Sequence, residues 1–329
     1  MAAGHALKEA EYEDRPLSDD EMWSAFGYLF SSRSVHDTSY KFGFLKSILD
    51  NLYNTDSRLV LTFDQLFSKF AEIYWNLVLK YHIRQKSNRR SALENVLLYA
   101  TEKYDILEDI PFESLTPDMR IDICHRVKMK CKENVVGALY GDLGSLFYSF
   151  SKSEEWIRLN PRMYEFVCKH KVAIEKMNYY EWARFLEKVN EDSAVDHLLS
   201  KIDESTMRTR NSLAYYRDIL FEEFENKCFY CGVSLTKRRV EVDHFIPWSF
   251  IKDDQIWNFV LACPECNRNK RDKLARVDFL NKISDRNEIL IERTPRVNAE
   301  SAGRIRMIYD WAQKNGYNEI WTPKKAMTL

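Results

Sequence analysis

Two C-x2-C pairs, Cys228/Cys231 and Cys263/Cys266, constrain this chain more than any other feature. Each pair places two thiolates on one tight turn, and four sulfurs satisfy a tetrahedral zinc at ~2.3 Å per Zn–S bond with no position left for water. A closed site of that kind is structural rather than catalytic. Seven cysteines is an odd number for a disulfide framework, whereas paired spacing fits metal ligation in a reducing compartment. Cys124, Cys131 and Cys168 fall on helix-like segments and read as core or surface thiols, because a free cysteine packs as a small hydrophobe. Taken alone, the knuckles imply only a binding module.

What lies between them is more specific. Val240 to Ile246 alternates apolar and polar side chains up to the pair Asp243-His244, and reads as a strand. A polar turn from Pro247 to Trp257 carries Lys252, Asp253 and Asp254. Asn258 to Ala262 is a short buried strand ending at the second knuckle, and Asn267 to Leu274 has the polarity of a helix. The string EVDHFIPWSFIKDDQIWNFVLACPECNRNK resembles the ββα-metal, or HNH, nuclease motif with embedded zinc knuckles. From Asp243 to Lys270 it is also similar to the HNH domain of RNA-guided CRISPR nucleases. Those domains lack the cysteines, so the zinc-bearing form is closer to restriction-type and other bacterial defence HNH enzymes. The resemblance covers roughly residues 225–275.

The resemblance implies a role for each matching position. Asp243 and Asn267 would hold one divalent ion, Mg²⁺ or Mn²⁺, since hard oxygen donors suit such cations. His244 would be the general base that activates water, and Asn258 would brace the loop and orient His244. The triplet is H-N-N, because Asn267 stands where many relatives have histidine; Asn269 is a neighbouring alternative ligand. Lys237, Arg238 and Arg239 precede the first strand, and Arg268, Lys270, Arg271 and Lys273 crowd the segment after the metal ligand. All seven are expected to contact nucleic acid, neutralising phosphates beside the cut.

The remaining sequence is organised as helices. With 329 residues, 45% apolar and 14% aromatic, the chain is long enough for two domains with buried cores. Its net charge of −1 says nothing of nucleic acid by itself, since a near-neutral total can hide a basic face. The expected fold is a mainly α N-terminal domain followed by a small C-terminal α+β, ββα-metal zinc-bound domain. Residues 1–20 read as a loosely held N-terminus, 21–200 as a helical recognition or regulatory domain, and 201–329 as the HNH domain with flanking helices, with a hinge near 200–208. Phe42, Leu45, Ile48, Leu49 and Leu52 trace one helix face. Thr62 and Gln65 form a capping box that opens a helix through Tyr81. Asn160-Pro161 starts a further helix, Trp182 to Val189 forms another stripe, and a helix from about Ser212 to Phe224 leads into the first knuckle. The glycine-bearing stretch Asn134 to Phe150 suggests a strand or loop excursion. No secretory leader or membrane span is evident, so a soluble cytoplasmic protein is expected. The function expected is a metal-dependent endonuclease acting on DNA as a restriction or anti-phage effector, working as a homodimer or with a partner protein. A non-catalytic zinc-finger module and an RNA-cleaving toxin remain alternatives.

Overall fold

The computed structural model describes residues 4–107, 109–191, 196–206, 213–293 and 299–324. The chain divides into two compact units, Met1–Met207 and Arg208–Leu329. The first is mainly α; the second is a small α+β domain. Among the described residues, no helix is long and apolar enough to cross a membrane.

In the first unit the helices are α1 (Asp19–Leu29), α2 (Tyr40–Asn51), α3 (Phe63–Trp75), α4 (Ala92–Tyr104), α5 (Pro117–Asp142), α6 (Pro161–Val189) and α7 (Leu198–Thr206). Their starts are written in the sequence. Ser18, Thr62 and Ser91 each close a capping box with Glu21, Gln65 and Glu94, satisfying backbone donors that have no partner in the first turn. Thr116-Pro117 and Asn160-Pro161 supply a side-chain N-cap followed by a proline whose missing N–H costs nothing there. The helix opened by Thr62 widens into a π turn at Asn76–Lys80, where Tyr81 N–H donates to the Asn76 carbonyl five residues back. Strands β1 (Glu9–Ala10), β2 (Val60–Thr62), β3 (Tyr148–Ser151) and β4 (Trp156–Leu159) form an antiparallel sheet in the order β1-β3-β4-β2.

Several expectations need correction. The amphipathic face assigned to residues 42–52 understates α2, which is buried on every side. It therefore carries charge into the core: Lys46 is fully buried between Asp50 and Glu175. Burial alone would drive Lys46 neutral, but these carboxylates and Tyr179 hold its pKa well above the ordinary value. Residues 134–142 belong to α5 rather than to a strand, and only 148–151 are extended. The glycines misled because Gly137 serves close packing: a Cβ there would lie 2.1 Å from the Gly4 carbonyl oxygen. The N-terminus is also tied down, with Glu9 and Ala10 paired to β3 and the Glu11 carbonyl accepting from Tyr140. The stripe at Trp182 is the second half of α6, which kinks at His170. Residues 207–212, including Ser212 and the last two positions of the region assigned to the hinge, lie outside the described residues, while 200–206 belong to α7.

The second unit begins with α8 (Ala214–Glu223) and continues through β5 (Glu241–His244), α9 (Trp248–Ile251), β6 (Phe259–Ala262), α10 (Pro264–Lys270), β7 (Leu274–Ala275), α11 (Val277–Arg293), α12 (Ala299–Gly303), α13 (Ile305–Lys314) and β8 (Ile320–Trp321). β5 and β6 are antiparallel, with Glu241 opposite Ala262 and His244 opposite Phe259. β7 and β8 pair in parallel. α10 starts earlier than its polarity suggests because Cys263 is its N-cap and Pro264 its first residue. It stops at Arg271, whose φ of 51° is left-handed.

Candidate active site

The two knuckles frame the hairpin. In the first, Lys227 bridges Ser234 and Cys228 N–H donates to Val233 across a turn that Gly232 closes at φ 72°, a conformation that costs other residues. Phe229 N–H donates to the Leu261 carbonyl, fastening this turn to β6. In the second, Cys266 N–H points at Cys263 Sγ at 3.4 Å. The ligand atoms of Cys228, Cys231, Cys263 and Cys266 all lie within 4.8 Å of one another, and Cys231 and Cys263 are 3.8 Å apart. Four sulfurs at ~2.3 Å from a tetrahedral centre would stand ~3.8 Å apart, so the cluster could hold zinc. Burial and the neighbouring Cys228 push the Cys231 thiol up to about 11, a crowding that a divalent cation relieves.

Since Cys263 is both a cluster member and the cap of α10, the knuckle sets where that helix starts over the hairpin. Alternation along β5 sends Glu241 and Asp243 to one face and Val242 and His244 to the other. On the first face Asn267 Nδ2 donates to Glu241 Oε2 at 2.7 Å. One turn further along α10, Lys270 Nζ lies 3.0 Å from Asp243 Oδ2 and donates to the His244 carbonyl at 2.7 Å. Tyr230 also donates its hydroxyl to Asp243 Oδ2. On the opposite face His244 packs against the Phe259 ring, with centroids 4.7 Å apart, and its Nε2 meets Asp254 Oδ1 at 3.0 Å. A carboxylate only accepts here, so Nε2 is the donor of this contact, and in the neutral imidazole the lone pair then lies on Nδ1. Asn258 is fully buried, and its amide both donates to the Ile246 carbonyl and accepts from Ile246 N–H at 2.8 Å. Its own carbonyl accepts from Phe245 at 2.7 Å. The chain leaving His244 is thus clamped by one residue.

The structure gathers Asp243, Asn267, Glu241 and Lys270 on one side of the hairpin and His244 on the other, joined at the end of β5 by Lys270. Glu241, Asp254 and Tyr230 were missed in the sequence. The period-two spacing of Glu241 and Asp243 was the available signal for the first; the partners of His244 and Asp243 come from turns whose course the sequence does not spell out. Of the cations expected on nucleic acid, Lys237, Arg238, Arg239, Arg268 and Arg271 are exposed. Lys273 is paired with Glu319 at 2.8 Å. Lys270 is a correction: it is fully buried, and its charge is directed at Asp243. Asn269 is corrected as well, since it is exposed and lies two residues from Asn267, on another side of α10.

A β-hairpin and a short helix clasped by two cysteine turns, with Asn267 and Lys270 facing the carboxylates of Glu241 and Asp243 across the seam, define a ββα-metal domain. Residues 228–276 match the family model described as HNH endonuclease, and this part of the chain is an HNH-family domain whose four cysteines could hold zinc. Neither curated proteins nor solved structures give a match to the chain.

Lys270 gives a direct test of this geometry. Lys270→Met should destabilise the second unit by ~3–5 kcal/mol, the cost of leaving a buried charge uncompensated, whereas Arg268→Ala should stay within about 0.5 kcal/mol. Urea unfolding of the full chain measures both; equal midpoints would show that Asp243 does not depend on Lys270.

Proposed function

We propose that the second unit is a metal-dependent endonuclease that hydrolyses phosphodiester bonds in DNA, serving as the restriction or anti-phage effector its sequence resembles. The observation that carries this reading is the end of β5, where an imidazole oriented by Asp254 stands next in sequence to Asp243, on the strand that faces Asn267.

The donors fit a hard divalent cation such as Mg²⁺ or Mn²⁺. Glu241 and Asn267 present half-buried oxygen-bearing groups in contact with each other, a donor set that suits such ions. Asp243 Oδ2 is taken by Tyr230 and Lys270, so Asp243 would contribute its other oxygen or release Lys270. When bound, the ion supplies charge stabilisation at the scissile phosphate and the departing 3′ oxygen. His244 Nδ1 takes a proton from the attacking water, whose oxygen bonds to phosphorus as the P–O3′ bond breaks, and the 3′ oxygen then takes up a proton from solvent. Asn258 keeps the His244 backbone fixed while this occurs. Exposed Lys237, Arg238, Arg239, Arg268 and Arg271 would hold flanking phosphates, contacts that position the substrate without reading its sequence.

A supercoiled-plasmid assay tests this. One site cuts one strand, so nicked circles should precede linear product, and only when Mg²⁺ or Mn²⁺ is added. Cleavage of RNA alone would move the substrate assignment to RNA, and intact plasmid at every ion concentration would remove the proposal.

A further inference from the structure

The first unit contains a half-open cleft of about 1120 Å³ whose walls are basic. Lys86, Arg89 and Arg90 come from the segment before α4, and Arg126 and Lys130 from α5. Among the described residues, Lys86, Arg89, Arg90 and Lys130 have no ion-pair partner. The lining acids do not offset them. Asp122 is shared by Lys103, Arg126 and Tyr104, which leaves Asp37 as the other carboxylate on the wall. In a chain of net charge −1, four uncompensated cations on one concave surface repel one another and focus a positive potential into the cleft. Between them Tyr99 is 50% exposed, with the Arg126 guanidinium 5.2 Å from its ring centroid.

The size and shape favour a polymer over a small anion. Small-molecule sites usually enclose ~300–1,000 Å³ and bury most of the ligand, whereas this cleft is larger and open to solvent. Spaced cations with an exposed aromatic ring are the means by which proteins track a phosphate backbone and stack against bases. We propose that this cleft binds the phosphate backbone of nucleic acid, as a second substrate-holding site outside the HNH domain. The proposal rests on the nuclease reading for its choice of polyanion, and its test reads binding rather than cleavage.

The test is fluorescence anisotropy of the full chain with a short DNA duplex, without added divalent ion and with zinc left in place. Each phosphate contact adds ~0.9 to the slope of log affinity against log salt. The R89Q/R90Q/K130Q variant should therefore lose about 3 from that slope, and on the order of 10²-fold in affinity near ~0.1 M salt. All three side chains are exposed, and R89K/R90K/K130R, which keeps every charge, should bind like the wild type. An RNA duplex of the same sequence distinguishes the two sources of the backbone: the same loss in the glutamine variant on RNA alone supports the cleft with RNA as its polymer. Unchanged affinity and slope on both polymers, or a wild-type chain that binds neither, overturns the proposal. Binding that is lost in the variant while the wild-type protein cuts nothing upholds the cleft and rejects the nuclease reading instead.

Discussion

Full-length protein carrying Cys263→Ser should lose its zinc and, with it, the cooperative unfolding transition of the second unit. The expected effect is the largest available in this chain. Apparent zinc-binding free energies of structural sites are ~10–16 kcal/mol, and because no preformed site exists in the unfolded chain, that binding is folding free energy. Three features make this unit dependent on it. Its two-stranded hairpin is short, a size that is marginal by itself in water. Cys263 stands at the start of α10 as well as in the cluster, so although serine can still cap the helix, losing the Sγ unfastens the helix that carries Asn267 and Lys270 from the first knuckle. Phe229 N–H ties the first knuckle to β6, so both halves of the frame loosen together. Elemental analysis of the wild-type protein should give about one zinc per chain, the stoichiometry of a four-thiolate site. A strong chelator should reproduce the effect of the substitution. A folded protein that cuts DNA and contains no zinc would show that the four thiols are only packed together.

How much of this was legible beforehand depended on whether a feature is local. The cysteine spacing, the capping box at Thr62, the N-cap at Asn160-Pro161, and the β5–β6 hairpin are set by residues within a few positions of one another, and the structure has all of them. Non-local features were misread. Nothing near Gly137 announces that Gly4 approaches it from the far end of the unit, so the glycine looked like a breaker. The apolar face traced through Phe42 and Leu52 leaves Lys41, Lys46 and Asp50 of α2 unaccounted for; only the fold brings Asp142 and Glu175 from α5 and α6 to pair with the two lysines. Within the site, motif positions could be assigned, but the direction of each side chain could not. Lys270 sits in a run of basic residues and was grouped with its neighbours; helical spacing instead turns it inward beside Asn267, toward Asp243. Asp254 lay in a polar turn with no pattern, and only the folded turn returns it to His244.

That last contact leads to the second large effect. His244→Ala should reduce cleavage by at least ~10²-fold, the usual contribution of a positioned general base, while zinc content and DNA binding stay near wild-type values. Asp254 is expected to act through His244 as a positioning residue, not as a proton acceptor from water. With its carboxylate on Nε2, the lone pair is kept on Nδ1 and the ring is held against Phe259. Asp254→Ala removes the acceptor and frees the ring, and a small misplacement of a reacting group can cost up to ~10²-fold. Asp254→Asn retains an acceptor oxygen and should recover a substantial part of that loss. A purely structural role would instead lower stability in both variants and treat the two substitutions alike. The decisive measurement is single-turnover cleavage at saturating enzyme, with the unfolding midpoint of each variant taken in parallel. Full activity in His244→Ala would place the base elsewhere. Equal rates in the Asp254 alanine and asparagine variants would leave the orientation of the imidazole to Phe259 and to the Asn258 clamp on the chain that follows it.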